Sequence, residues 1–179
     1  KVRRRIAEDL GLSVDSVRSV SVYTVDAGLS REEIEMLAEG PYSDPVTQTP
    51  YVNAPAAADI DFDWLIEVGF RPGVTDNVGR TAREAAEVRL GRKFRPGEAV
   101  YTSTQYLIKG EFTEEQAESI ARGSLANELI QRWTLLPARS FDKAKGLEPY
   151  VPKVTDVHEP VVKDYALDLP DDERIRLSK

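Results

Sequence analysis

The sequence predicts an α/β protein, an α+β sandwich of two tandem strand–helix–strand–helix–strand units. The units are expected to be related by a pseudo-two-fold, with an antiparallel-rich sheet and the helices packed on one side. Two observations predict this. Helix patterns recur at nearly constant spacing along the chain. Between them lie runs dense in valine and aromatic residues, the composition that suits a pleated, half-buried surface.

The first element is "VRRRIAEDLG", Val2 to Gly11, which matches "AREAAEVRLG", Ala82 to Gly91, at an offset of 80. Val2, Ile6 and Leu10 fall on Ala82, Ala86 and Leu90, one apolar stripe on each helix, with glycine as terminator. The basic run Arg3–Arg5 is followed a turn later by Glu8 and Asp9, which can pair with it. Next, "VRSVSVYTVD" (Val17 to Asp26) reads as a strand. "SREEIEMLAEG" (Ser30 to Gly40) then matches "TEEQAESIARG" (Thr113 to Gly123) at an offset of 83, the difference falling in "RKFRPGE". Ser30 with Glu33, Thr113 with Gln116, and Thr81 with Glu84 all read as capping boxes, in which side chains satisfy free amides at a helix start. Paired acids in these segments are capping groups on a solvated face, not a general acid and base.

The third strand of the first unit is expected in "PVTQTPYV", as an edge or broken strand because of Pro45 and Pro50. A small, proline-bearing link, "NAPAAADI", leads to "FDWLIEVGF". There Phe62, Trp64, Ile66, Val68 and Phe70 alternate, so one face is expected to be buried. "AVYTSTQYLIKG" and "ELIQRWTLL" supply the remaining strands. The face assignments of Val17–Asp26 and Ala99–Gly110 stay open at this level. Expected boundaries are 1–53 for the first unit, 54–136 for the second, and 137–179 for an extended linker wrapping a surface. The first unit begins in its helix, so a strand is expected upstream. "PDDERIRLSK" resembles a helix opening.

The totals narrow the function. A net charge of -7 argues against a general nucleic-acid binder, which needs a basic face. With no cysteine, a disulfide framework and a cysteine metal site are both excluded. No apolar run approaches a membrane span and no signal-peptide pattern opens the chain, which fits a cytoplasmic protein.

The stretch "FRPGVTDNVGRTAREAA" places glycines between a strand and a helix, where phosphate often binds. It fails the P-loop pattern: five residues separate Gly73 from Gly79, and Arg80 stands where lysine is required. The simpler reading is a turn, with Pro72 fixing φ and Gly73 supplying positive φ. In "TDVHEP", Asp156, His158 and Glu159 suggest a metal site superficially, but alternation in an extended segment puts Asp156 and His158 on one side and Glu159 on the other, and a solvated linker is the simpler reading. No GxSxG elbow is present. Direct reading therefore assigns no catalytic, cofactor-binding or metal residue.

"IEVGFRPGVTDNVGRTAREA" resembles the opening of the small bridging subunit of phosphoribosylformylglycinamidine synthase, the PurS family. That family has a strand, then Lys/Arg-Pro-Gly-Val, then Asp and Gly before a helix. Arg71, Pro72, Gly73, Val74, Asp76 and Gly79 match. "LANELIQRWTLL" is similar to the family's closing strand. Asn77-Val78 departs from the more usual Pro-Gln. Residues 1 to about 136 look like two PurS-like units in tandem, as in the N-terminal domain of the long single-chain synthases.

The resemblance implies a bridging, structural role in purine biosynthesis, within a ligase that converts formylglycinamide ribonucleotide, glutamine and ATP to the amidine. It implies synthetase and glutaminase domains or subunits as partners, with self-association as a further contact. ATP and Mg²⁺ are expected in a synthetase domain outside this chain, leaving no cofactor here. Arg71, Pro72, Gly73 and Asp76 are the expected interface residues, with little effect on fold stability when Arg71 and Asp76 are truncated. The competing reading is a tandem ACT-like module that binds a small molecule between units; a nucleic-acid-binding sandwich ranks third.

Overall fold

Residues 1–154 are described by the structure, a computed structural model. "PDDERIRLSK" and the Asp156, His158, Glu159 group lie outside these residues. The chain opens with α1 (Val2–Leu10), closed by Gly11 in the left-handed conformation at φ 66. Arg4 pairs with Glu8 and Arg5 with Asp9 along its exposed side, as the spacing anticipates. β1 (Ser16–Asp26) and α2 (Arg31–Ala38) follow. A short 3-10 turn, Ala56–Asp59, then leads into β2 (Trp64–Phe70). After it come α3 (Asn77–Leu90), β3 (Ala99–Lys109), α4 (Glu114–Ile120), a π-helical turn over Ala121–Leu125, and β4 (Gln131–Pro137).

The four strands form one open antiparallel sheet in the order β1-β3-β2-β4. Residues on both sides of the expected boundary at 53/54 therefore share a sheet. Pairing runs from Ser16 opposite Lys109 to Asp26 opposite Ala99, without a bulge. This register settles the faces left open by the sequence. Val17, Tyr23 and Val25 of β1 share a side with Val100, Tyr106 and Ile108 of β3, under the helices. Val20 and Leu107 point the other way.

All four helices lie over one face. α1 and α4 close over Trp64, Ile66, Val68 and Ile108. α2 and α3 close over Val100, with Tyr23 and Val25 alongside. Ser30/Glu33 and Thr113/Gln116 form complete capping boxes at the starts of α2 and α4. The third expected box does not form. α3 begins four residues earlier than Thr81, capped by Asp76, and the Thr81 hydroxyl donates back to the Asn77 carbonyl. A hydroxyl inside a helix satisfies itself on the preceding turn.

Two further expectations are corrected. Residues 44–52 form a turn and irregular chain, not a strand. Proline removes ladder donors at two places, and the Asp44 carboxylate takes the Val46 amide and the Thr47 hydroxyl. β2 is buried on both faces rather than one, with Leu65 as fully buried as Ile66. Phe62 precedes the strand and packs, edge-on to Phe141, on the opposite face, which carries no helix among the described residues and is called the helix-free face below. That face is covered by the chain's own extended segments: Ala57 and Ile60 from the link, and Ala138, Phe141 and Leu147 after β4. Among the described residues no helix is long and apolar enough to cross a membrane.

Candidate functional site

The turn after β2 contains the four residues singled out from the sequence. Pro72 and Gly73 are its central pair, with Gly73 at φ 82 and the Val74 amide donating to the Arg71 carbonyl at 3.2 Å. Positive φ at the third position is what this turn needs, and glycine adopts it without a Cβ penalty. Arg71 is exposed. Its amide donates to the Ile130 carbonyl and its Nε to the Gln131 carbonyl at 2.9 Å, which ties the turn to the start of β4.

Asp76 behaves differently. Its Oδ1 accepts from the Gly79 amide at 2.7 Å. Its Oδ2 accepts from the Thr102 amide at 2.6 Å and the Thr102 hydroxyl at 2.8 Å. The carboxylate therefore joins the start of α3 to β3 and leaves little to offer a partner. It also occupies the position at a helix N-terminus where a bound anion would sit, so the protein supplies its own anion there. Gly79 is buried, and a Cβ on it would run into the Val100 carbonyl and the Asp76 carboxylate. Its role is the close approach of helix to strand. The structure thus separates the four residues: Arg71, Pro72 and Gly73 face outward, while Asp76 is a structural clamp. The expectation that truncating Asp76 leaves stability almost unchanged does not survive this geometry.

A second cluster lies on the helix-free face and was not anticipated. Glu67 is 9% exposed and accepts from Ser103 Oγ at 2.9 Å and Gln105 Nε2 at 2.7 Å. Two positions along β2, Gly69 lies opposite Arg132 of β4. The Arg132 guanidinium carbon sits 3.3 Å from the centre of the Tyr150 ring, and its buried Nε has no hydrogen-bond partner among the described residues. Burial pulls this guanidinium below its ordinary pKa range. The available sequence signal was a single glutamate at an alternate position of an apolar strand. Tyr150, in a stretch without periodicity, carried none.

At the far end of the sheet an open cleft of about 710 Å³ is lined by Asp15, Asp63, Lys109, Glu111, Phe112 and Arg139. The Lys109 ammonium lies 3.1 Å from Asp63 and 3.2 Å from Asp61, which hold its pKa above the usual lysine range. The base is thereby committed to ion pairs. Among the described residues no group of three His, Cys, Asp or Glu side chains is placed to hold a metal ion. Comparison with family models, curated proteins and solved structures finds no match to this chain.

Proposed function

We propose that the chain is the N-terminal bridging part of a phosphoribosylformylglycinamidine synthase, two PurS-like units in tandem that organise the glutaminase and synthetase parts around the ammonia route. The observation that carries this reading is a matched pair of turns. At Asp44–Gln48 and again at Asn127–Gln131, the first side chain accepts from the amide two residues on. In each turn the glutamine Oε1 accepts from the first residue's amide, and the glutamine amide returns to that residue's carbonyl. The turns stand 83 positions apart, the same offset as the capping boxes.

The offset recurs elsewhere. Ser16 and Ala99 open β1 and β3, and Asp26 and Lys109 close them, each pair 83 positions apart. Leu37 and Ile120, again equivalent, are both fully buried. α1 packs with α4, and α3 with α2, which is the exchange expected of two units about a pseudo-two-fold. In this reading a strand like β2 pairs with the outer edge of β1 in the complete enzyme. ATP and Mg²⁺ act in the synthetase part, the setting is cytoplasmic, and the Arg71–Gly73 turn is a docking edge.

The test is Arg71→Ala in the complete enzyme, comparing glutamine-dependent with ammonia-dependent synthesis. Bridging predicts a selective fall in the glutamine-dependent rate. An equal fall in both, or no fall in either, refutes it. Asp76 is left intact, since its loss disturbs the fold.

A further inference from the structure

The inner side of α3 belongs to the core, where Gly79, Ala82, Ala86 and Glu87 are buried. Its outer side is apolar yet open to water. Val78 is 58% exposed and Val88 is 83% exposed. Thr81 and Ala85 lie between them, at steps of three, four and three residues, which puts all four on one face of the helix. The Thr81 hydroxyl is spent on the Asn77 carbonyl, leaving its methyl group for other contacts.

Two comparisons within the chain set this face apart. At the offset of 80, Arg4, Arg5 and Glu8 of α1 correspond to Glu84, Ala85 and Val88 of α3. In α1 these positions carry exposed ion pairs, Arg4 with Glu8 and Arg5 with Asp9. In α3 two of the three are bare aliphatic residues. The second comparison concerns charge. On the described helices an arginine stands four residues before an acid at five places, and four of them close into ion pairs of 2.8 to 3.3 Å. Arg80 with Glu84 is the fifth. Both are exposed, and among the described residues neither forms an ion pair.

We propose that the outward face of α3 docks against the same face of a second copy of this chain, with the two helices antiparallel. This goes beyond the bridging role and does not depend on it. The face is its own complement. Its spacing reads the same in both directions, so an antiparallel copy sets Val78 opposite the second copy's Val88 and Thr81 opposite its Ala85. That reciprocity is what a two-fold interface requires. The small side chains at the centre let the helix axes approach closely. Along one flank the order becomes Arg80, the second copy's Glu84, Glu84, the second copy's Arg80. Each open acid then stands beside an open arginine of the other chain. One helix from each copy makes a contact at the small end of specific interfaces, so the dimer is expected to be weak and to form at high micromolar concentration.

The full 179-residue chain contains no cysteine, so single-cysteine variants report without background. Under mild oxidation, a mixture of Val78→Cys and Val88→Cys chains should give disulfide-linked dimers about tenfold faster than either variant alone. Like residues would stand roughly 15 Å apart along the axis, ten residues at about 1.5 Å each, beyond the reach of a disulfide. Sedimentation of the cysteine-free chain should show a dimer that grows with concentration. Arg80→Glu and Glu84→Arg should each weaken it about tenfold, because each gathers four like charges on one flank. The double exchange, Arg80→Glu with Glu84→Arg, should restore it. All these positions are exposed, so circular dichroism should match wild type in every variant. Equal linking rates in the mixture and in the single variants overturn the proposal. A dimer indifferent to both charge reversals, or not restored by the double exchange, overturns it too. So does a monomer at every concentration.

Discussion

The two helix pairs cover the same sheet but are not equally supported beneath. Under α1 and α4 lies a continuous apolar floor from β2, β3 and β4, which buries Trp64, Ile66, Val68 and Ile108 against Ile6 and Ile120. Under α2 and α3 the floor is narrower: β1 is the edge strand, and the buried set is Leu37, Ala82, Ala86, Phe94 and Val100. That side relies on polar and aromatic devices instead. Tyr23 and Tyr42 stack with ring centres 4.6 Å apart. The loop after α3 turns Phe94 inward, and the buried Glu87 carboxylate holds it by accepting from the Phe94 amide, Lys93 and Arg83. Similar helices can thus be anchored by apolar area or by hydrogen bonds, according to how many strands lie below.

The comparison is sharpest in the cores. Ile66→Ala should cost about 4 kcal/mol and Leu37→Ala about 2.5 kcal/mol, since the loss rises with the cavity that the surroundings cannot close. Chemical denaturation of both variants measures the gap, and equal losses would show the floors to be equivalent. Gly79→Ala should cost about 2 to 3 kcal/mol by forcing α3 away from β3. Asp76→Ala should cost about 2 kcal/mol, through a lost cap and unsatisfied groups at Thr102. Loss of Asp76 should also raise amide exchange at the start of α3 more than in α1.

A third difference is pH dependence. The Lys93 ammonium and the Phe94 amide, then Arg83, lower the Glu87 pKa from 4.5 to about 2. Its folded state favours the charged form, so this contribution is complete above pH 4.5 and is lost as pH falls toward 2. Glu87→Gln should therefore be less stable than the wild type at pH 7, and the two should converge near pH 2. A constant difference across that range would exclude the carboxylate as the cause. Smallest of all, Arg71→Ala should change stability by less than about 0.5 kcal/mol, as expected of an exposed side chain. A thermal melt matching wild type would confirm that any effect on assembly is not an effect on folding.

Most strands and helices were legible in the sequence because local patterns dictated them: period two in β2, capping boxes at α2 and α4, and glycine closing α1 and α3. What stayed hidden depended on long-range partners. Residues 44–52 carry strand-like composition, but their own Asp44 turn captured the backbone. Asp76 reads as a turn residue until Thr102 is seen to donate to it. Leu65 and Phe62 needed the later segment at Phe141 and Leu147 before the second face of β2 became interior. Arg71, Pro72 and Gly73 were readable as a presented turn, whereas Glu67, Arg132 and Tyr150 meet only through the fold.

The β1–β3 register has a consequence in time. The nearest partner of β1 lies 73 positions downstream, Ala99 opposite Asp26. At the usual pace of synthesis β1 waits roughly 4 to 15 s for the residues that will pair with it. β2, by contrast, gains its first neighbour from the helix hairpin immediately after it. β2 and β3, joined through α3, are therefore expected to set the template onto which the earlier-made β1 is laid.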